Sequence, residues 1–517
     1  MMLIVGACAT GAQTTESLVV LIDNDEGPIT PANFNTFIGF WMVGWVYDPL
    51  FARSPDLEPV PALATEASPS PDGLTWEIAL RDDVTWHDGE PFTAEDVKFS
   101  YEFLIAAGRA PNLGAVDSIE VTGDHSVTIR LSQPAPFFVN EGLAGYYILP
   151  QHVWEGQEPL SGELNQFQGE IGTGPFVLDE IVPGETYTFS ANADYFRGAP
   201  KVETLIAKVV KDRTQQFSQL RTGAADAVLA SVPPAQVDQL EGDEGIEVLR
   251  GSDFFNYVLY ANGSRPPFDI PEVRTAIATA IDTASLTETV FLGRGTELPL
   301  SWYHPDLPWS ENIGHDFDPG RAAELLDEAG LADSDGDGVR EFGGIPAEFD
   351  ILCDANNPTE VRTAELIGGW LADVGIDASP ACIDIDTAVS RIWPSFAAVP
   401  DPDYDLAVWG WSAGVQTQRG FVRGLVDGDF GGVGWANLTG IADPTLDALL
   451  AEFVTTPDEE RSDELSTLIQ ERIAEALPFI PLMSPAGNFA VNSDAYDGWV
   501  FMRGNGIMTP WSFVEGE

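Results

Sequence analysis

Strand-like alternation and helix-like stripes follow one another along the whole chain, broken by Pro/Gly-rich punctuation and by no low-complexity block. Thr75-Trp76-Glu77-Ile78-Ala79-Leu80-Arg81 alternates as a half-buried strand does. Thr93 opens a helix that runs on through Phe103, with Glu95 and Asp96 in its first turn, where the helix dipole favours negative charge. Asp318-Pro319 precedes an amphipathic run, Arg321 to Ala329, that Gly330 stops. Two more helices are predicted at Pro444–Phe453 and Glu459–Ala476, the second ended by Pro478. Ser17 to Asp23 reads as the first strand. Phe349–Cys353 and Ile376–Ile383 read as strands on either side of a helical stretch, Thr359–Val374. Such a strand–helix–strand unit sets its strands parallel. The class is α/β, in more than one lobe.

At 44% hydrophobic and 10% aromatic, the chain has ample material for a core and is too apolar for a disordered polyanion. Its 517 residues suffice for two to four domains, at roughly 100–200 residues each. Against 24 Lys+Arg stand 82 Asp+Glu, a net charge of −58. That balance argues against binding nucleic acid or an anionic lipid surface, since both need basic patches. No apolar run is long enough to span a membrane as a helix. The bases are lopsided as well. Only Lys98, Lys201, Lys208 and Lys211 are lysines, and the acids are dispersed from end to end. Scarce lysine with dispersed acid suits a halophile, a protein folded in molar salt, where the Debye length shrinks to about 3 Å. An ordinary acidic secreted protein is the alternative.

The chain opens Met1-Met2-Leu3-Ile4-Val5-Gly6-Ala7-Cys8, and Val-Gly-Ala-Cys resembles a lipobox, the signal-peptide site at which a cysteine is lipidated. The apolar run before it is short and lacks a basic n-region, which suggests a start placed too late or a trimmed sequence. Residues 1–16 then read as a lipidated terminus and polar tether, as expected of an exported lipoprotein, periplasmic or on the outer cell surface. Cys353 and Cys382 fall on the two predicted parallel strands. A disulfide between them fits an exported protein, and two buried thiols fit equally well. Neither has a His nearby, which argues against catalysis and zinc.

Several segments carry more than periodicity. Tyr47-Asp48-Pro49-Leu50-Phe51 is followed by Pro61-Ala62-Leu63-Ala64, Asp72-Gly73-Leu74-Thr75-Trp76, Leu80-Arg81-Asp82-Asp83-Val84-Thr85-Trp86-His87-Asp88-Gly89-Glu90-Pro91 and Thr93-Ala94-Glu95-Asp96-Val97. Further on come Gly172-Thr173-Gly174-Pro175-Phe176, Leu220-Arg221-Thr222-Gly223-Ala224-Ala225-Asp226, and Val273-Arg274-Thr275-Ala276-Ile277 with Ala280-Ile281-Asp282. Ala323-Glu324-Leu325-Leu326-Asp327-Glu328-Ala329-Gly330 and Leu477-Pro478-Phe479-Ile480-Pro481-Leu482 complete the set. In this order and spacing the chain resembles the family 5 extracellular solute-binding proteins, the peptide and nickel class of ABC-importer receptors.

The resemblance implies a two-lobed periplasmic-binding-protein fold (type II) with an extra subdomain on the first lobe. Lobe I is then expected at 17–47, 173–258 and 486–517, the inserted subdomain at 48–172, and lobe II at 259–485. It also implies a monomeric receptor that captures di- or oligopeptides in an interlobe cleft and delivers them to ABC permease subunits by hinge closure. An oligosaccharide or another uncharged solute is the alternative ligand. No catalysis is implied.

Trp409-Gly410-Trp411-Ser412-Ala413-Gly414 resembles the family's ligand-facing strand, with Trp411 walling a pocket. Family peptide receptors often carry an acid shortly after this Trp; here Gly414 stands in that place, and Asp401, Asp403 and Asp405 lie upstream. Arg419 and Arg423 offer a bidentate partner for a ligand carboxylate. Trp41 and Trp45, in an aromatic segment from Phe34 onward, are candidates for contact with apolar side chains or sugar rings. Asp253 and Asn256 lie near the expected hinge. Asp333, Asp335, Asp337 and Glu341 fall at positions 1, 3, 5 and 9 of an EF-hand-type loop, but position 12 is Gly344. A full EF-hand is excluded, and a looser structural calcium loop is the remaining metal reading; no other cofactor is expected. The five His are scattered and form no nucleophile or chelating motif with Ser or Cys, so the chain does not read as an enzyme.

Overall fold

The computed structural model describes residues 15–32, 37–159, 169–392, 402–426 and 438–515. They form two compact units, one made of residues 1–132, 138–251 and 487–517, the other of 133–137 and 252–486. Apart from residues 133–137, the chain passes into the second unit after Gly251 and leaves it after Ala486.

In the first unit a sheet runs in the order Ala227–Val228, Thr15–Ile22, Val202–Val209, Thr186–Ala191, Phe176–Val182. Thr15–Ile22 lies parallel to both of its neighbours, and the other pairs are antiparallel. The helix Phe37–Val46 is apolar all round, which only a buried helix tolerates, and Met42, Val43, Trp45 and Val46 are fully inaccessible. A second, four-stranded antiparallel sheet takes Ala64–Pro69, Thr75–Leu80, Ser126–Leu131 and Val116–Gly123 in that order. The alternation at Thr75–Leu80 is visible there, with Trp76, Ile78 and Leu80 buried. The helix Ala94–Ala106 starts where Thr93 predicts, its first turn fixed by the Thr93 amide donating to Asp96 Oδ2 at 2.9 Å.

The signature residues of this unit bind one another. Asp48 is buried and accepts hydrogen bonds from Thr173 Oγ1 at 2.9 Å and Tyr195 Oη at 2.8 Å. Burial pushes its carboxyl up to about 6, against the pull of the two hydroxyls. Gly172 and Gly174 press against the end of the apolar helix, where a Cβ would lie 1.8 and 2.6 Å from Val46 backbone atoms. His87 closes the joint, its amide donating to the Gly172 carbonyl at 2.9 Å and its Nε2 lying 3.0 Å from the Gly174 carbonyl. These motifs are legible because close packing leaves little choice of residue.

In the second unit the sheet order is Asp377–Ile383, Glu348–Asp354, Leu406–Trp411, Asn256–Ala261, then the first part of the strand Ile480–Asn492, up to Ala486. The first three strands are parallel and the rest antiparallel. The helix Pro358–Asp373 links two neighbouring parallel strands, as the strand–helix–strand pattern requires, and is capped by Asn357. Cys353 and Cys382 sit directly opposite one another in that parallel pair, 4.4 Å apart at Cα, and are joined as a disulfide. The helix predicted from Arg321 begins at Pro319, because Asp318 caps it by accepting from the Arg321 amide. Pro444–Phe453 and Glu459–Ala476 match their predicted bounds. No helix among the described residues is long and apolar enough to cross a membrane.

Candidate functional site

The strands Leu406–Trp411 and Asn256–Ala261 pair antiparallel, with Asn256 opposite Trp411, Tyr257 opposite Gly410 and Val258 opposite Trp409. Alternation puts Trp409 and Trp411 on the same face as Asn256 and Val258. The strand is buried over Leu406–Val408 and emerges at Trp409, Gly410 and Trp411. Trp411 is half-buried; its Nε1 donates to Tyr260 Oη at 2.7 Å, and its ring meets Phe421 edge-on. Gly410 faces the other way, where a Cβ would lie 2.5 Å from the Phe255 ring. Ser412 is exposed and Ala413 buried, at the start of the short helix Ala413–Thr417.

Asn256 is fully buried, and its amide orientation is set by chemistry: Nδ2 donates to the Phe254 carbonyl at 3.1 Å, which leaves Oδ1 without a partner. Phe254 itself has φ = 57°, left-handed backbone that an aromatic residue rarely adopts. Its ring is 5.0 Å from that of His304. His304 donates its amide to Gln416 Oε1 at 2.7 Å, and Gln416 Nε2 donates to the Trp302 carbonyl at 3.2 Å. Burial keeps the His304 imidazole neutral, with its pKa lowered to about 4. Tyr260, Gln416 and the residues 302–304 escape a reading of the sequence, because their only signal is a pairing register set by distant strands.

Other candidates have partners of their own in the structure. Trp45 is fully buried, its Nε1 donating to the Met508 carbonyl at 2.6 Å and its ring edge-on to Phe189 and Phe513. Trp41 is buried too, packed edge-on to Phe489. Both are core residues of the first unit. Arg419 pairs with Asp463 at 2.9 Å and lies over the rings of Phe137, Trp309 and Phe453, so its guanidinium already holds a carboxylate. Asp403 and Asp405 both accept from Arg265 at 2.7 Å. Cys8 and Asp401 lie outside the described residues.

The acidic loop joins the strands Leu331–Ala332 and Glu341–Phe342. One carboxylate oxygen each from Asp333, Asp335, Asp337 and Glu341 lies within 4.8 Å of the others. The loop is pre-shaped by its own carboxylates: Asp333 accepts from the amides of Gly336 and Gly338, Asp337 from Val339 and Glu341 from Ser334. Gly336 and Gly338 take φ of 85° and 97°, which the turn requires. Gly344, at the twelfth position, sits in the next hairpin and offers no side chain. An all-oxygen set of this kind suits a hard cation such as calcium.

Residues 58–431 match the model of bacterial extracellular solute-binding proteins, family 5. The chain is 26% identical over 441 residues to the oligopeptide-binding protein AppA of Bacillus subtilis, covering 81% of this chain and 77% of that one. The solved structure of that protein in complex with a nonapeptide aligns at a TM-score of 0.80 and 22% identity, covering 98% of this chain and 100% of that one. A periplasmic oligopeptide-binding protein of Thermotoga maritima, solved with mannohexaose bound, aligns at 0.73 and 23% identity, covering 94% and 93%. The fold is that of the two-lobed periplasmic binding proteins, and these relatives are binding proteins rather than enzymes. With its signature residues locked in the first unit and its tryptophan strand emerging from the second, the chain belongs to the family 5 bacterial extracellular solute-binding proteins.

Proposed function

We propose that this protein captures peptides outside the cytoplasm and hands them to the permease subunits of an ABC importer, with Trp411 and Trp409 forming an aromatic wall for the ligand. The observation that carries this reading is likeness over 81% of the chain to a protein named for oligopeptide binding. Trp411 supports it locally, since its ring is half-buried and already oriented by Tyr260. Oligosaccharide binding is the second reading, favoured by the mannohexaose in the Thermotoga relative and by the suitability of tryptophan faces for sugar rings. A lipid on Cys8 is the proposed anchor, supported by the lipobox-like residues before it.

A thermal-shift screen in molar potassium chloride, peptide pool against oligosaccharide pool, separates the two readings. A ligand at 100 times its Kd stabilises by about 2.7 kcal/mol, which is readily seen. Peptides are expected to shift the melt, and Trp411→Ala to weaken the bound peptide by roughly tenfold or more. A shift with sugars alone transfers the assignment to oligosaccharides.

The acidic loop is proposed to take calcium in a structural role. Adding calcium to EDTA-stripped protein should raise the melting temperature, and Asp333→Asn with Asp335→Asn should abolish the gain. An unchanged melt with no calcium by elemental analysis refutes it.

A further inference from the structure

The turn Trp302–His304 holds a conformation that its side chains do not favour. Trp302 has φ = 87°, left-handed backbone that is strained for a bulky residue, and it is fully buried. Its indole Nε1 meets no hydrogen-bond partner, so backbone bonds and packing alone keep it there. Two of those bonds go to a single side chain. Gln416, itself fully buried, donates through Nε2 to the Trp302 carbonyl at 3.2 Å and accepts through Oε1 from the His304 amide at 2.7 Å. An uncharged amide carries a donor and an acceptor side by side, and here both are engaged by the turn, as a neighbouring strand would engage them. What the turn supports leads back to the tryptophan strand. The Trp302 ring meets Phe479 edge-on at 4.8 Å, Phe479 meets Tyr260 edge-on at 6.1 Å, and Tyr260 Oη accepts from Trp411 Nε1 at 2.7 Å. Gln416 lies on the short helix that follows Trp411, so the path closes on itself within the second unit.

We propose that Gln416 is a positioning residue for the candidate binding strand: by clamping the left-handed Trp302 turn it fixes, through Phe479 and Tyr260, the angle at which Trp411 meets a ligand. The inference rests on the binding reading of this strand and deepens it. Gln416 touches no ligand itself, because it is buried and its amide is engaged by the turn. It acts through the rings, which are close-packed and so pass a shift along rather than absorb it.

The test uses the full chain in molar potassium chloride, labelled with nitrogen-15 at its tryptophan indoles, the Trp411 resonance being assigned by its loss in Trp411→Phe. Gln416→Glu keeps the shape; its carboxylate still accepts from His304 but cannot donate to Trp302, and burial raises its pKa so that mild acid restores the donor. At about pH 8 this variant is expected to shift or broaden the Trp411 resonance and to bind a mixed peptide pool, or an oligosaccharide pool if that is what wild type binds, roughly 2- to 30-fold more weakly. At about pH 5 both should return to wild-type values. His304 stays neutral over this range, its pKa lowered to about 4, and Asp306 beside it is common to both proteins, so a wild-type series at the same pH accounts for any other titration. Gln416→Met, of similar volume and without the hydrogen bonds, should show the defect at both pH values, and it decides the matter if Gln416→Glu does not fold. A role in packing alone predicts a lower melting temperature with resonance and affinity unchanged. An unmoved Trp411 resonance in Gln416→Met, a defect in folded Gln416→Glu that acid does not reverse, or a moved resonance with unchanged affinity overturns the proposal. A moved resonance in a protein whose wild type binds neither pool supports the clamp and overturns the binding reading.

Discussion

Raising potassium chloride from 0.1 M to 2 M is expected to increase the melting temperature of this protein by on the order of 10 °C or more. The charge is shared almost evenly: the first unit carries 41 acidic and 13 basic residues, the second 41 and 11. Neither unit can relieve its repulsion by pairing, because bases are outnumbered roughly three or four to one. The ion pairs that exist are mostly exposed, as at Arg362–Glu365 and Arg461–Glu464, and such pairs contribute about 0–1 kcal/mol each. What salt changes is the unpaired remainder. The Debye length falls from about 10 Å at 0.1 M to about 3 Å at 1 M. At roughly 2–4 °C per kcal/mol for units of this size, the stated shift corresponds to relief of about 3–5 kcal/mol per unit. Melts in potassium chloride should be compared with melts in sucrose, which strengthens burial without screening charge. A melting temperature that stays flat in salt, or rises equally in sucrose, removes the electrostatic reading and with it the halophilic one.

Replacing Cys353 and Cys382 together by Ala is expected to destabilise the second unit by about 3–4 kcal/mol. The bridge joins residues 29 apart in sequence, and closing a loop of that length removes comparable conformational freedom from the unfolded chain. The substitution leaves little else to disturb, since the two positions face each other on parallel strands and the helix Pro358–Asp373 packs behind them. Urea titration of the second unit's transition should show a lower midpoint, and thiol titration of wild type should find neither of these cysteines free. A loss below about 1 kcal/mol, or two titratable thiols, contradicts the bridge as a structural staple.

Much of the fold was legible because it is written locally. Asp318 and Asp443 start helices by accepting hydrogen bonds from amides two or three residues on, Asp96 closes the first turn back onto the Thr93 amide, and alternation at Thr75–Leu80 reports one buried face directly. The family motifs were legible for a different reason. Asp48, Gly172 and Gly174 sit where only one kind of side chain, or none, fits. The candidate site was legible only in part. Val43-Gly44-Trp45 and Trp409-Gly410-Trp411 look alike as text, each a tryptophan after glycine in an apolar run. One tryptophan ends deep in a core beside Met508, the other at an emerging strand end beside Tyr260. The sequence offered Arg419 as a hand for a ligand carboxylate and gave no sign of Asp463, 44 residues on, with which it pairs.

By itself the sequence determined the α/β class, the family, most helix limits and the acid-dominated surface. Each follows from neighbours along the chain or from totals that folding does not alter. Only the tertiary structure decided that Cys353 and Cys382 are bridged, that Trp41 and Trp45 belong to the core, and that Asn256 faces Trp411 with an oxygen to spare. Those outcomes depend on which distant strands pair and in what register, and register is set by the packing of the whole unit rather than by any residue's neighbours in sequence.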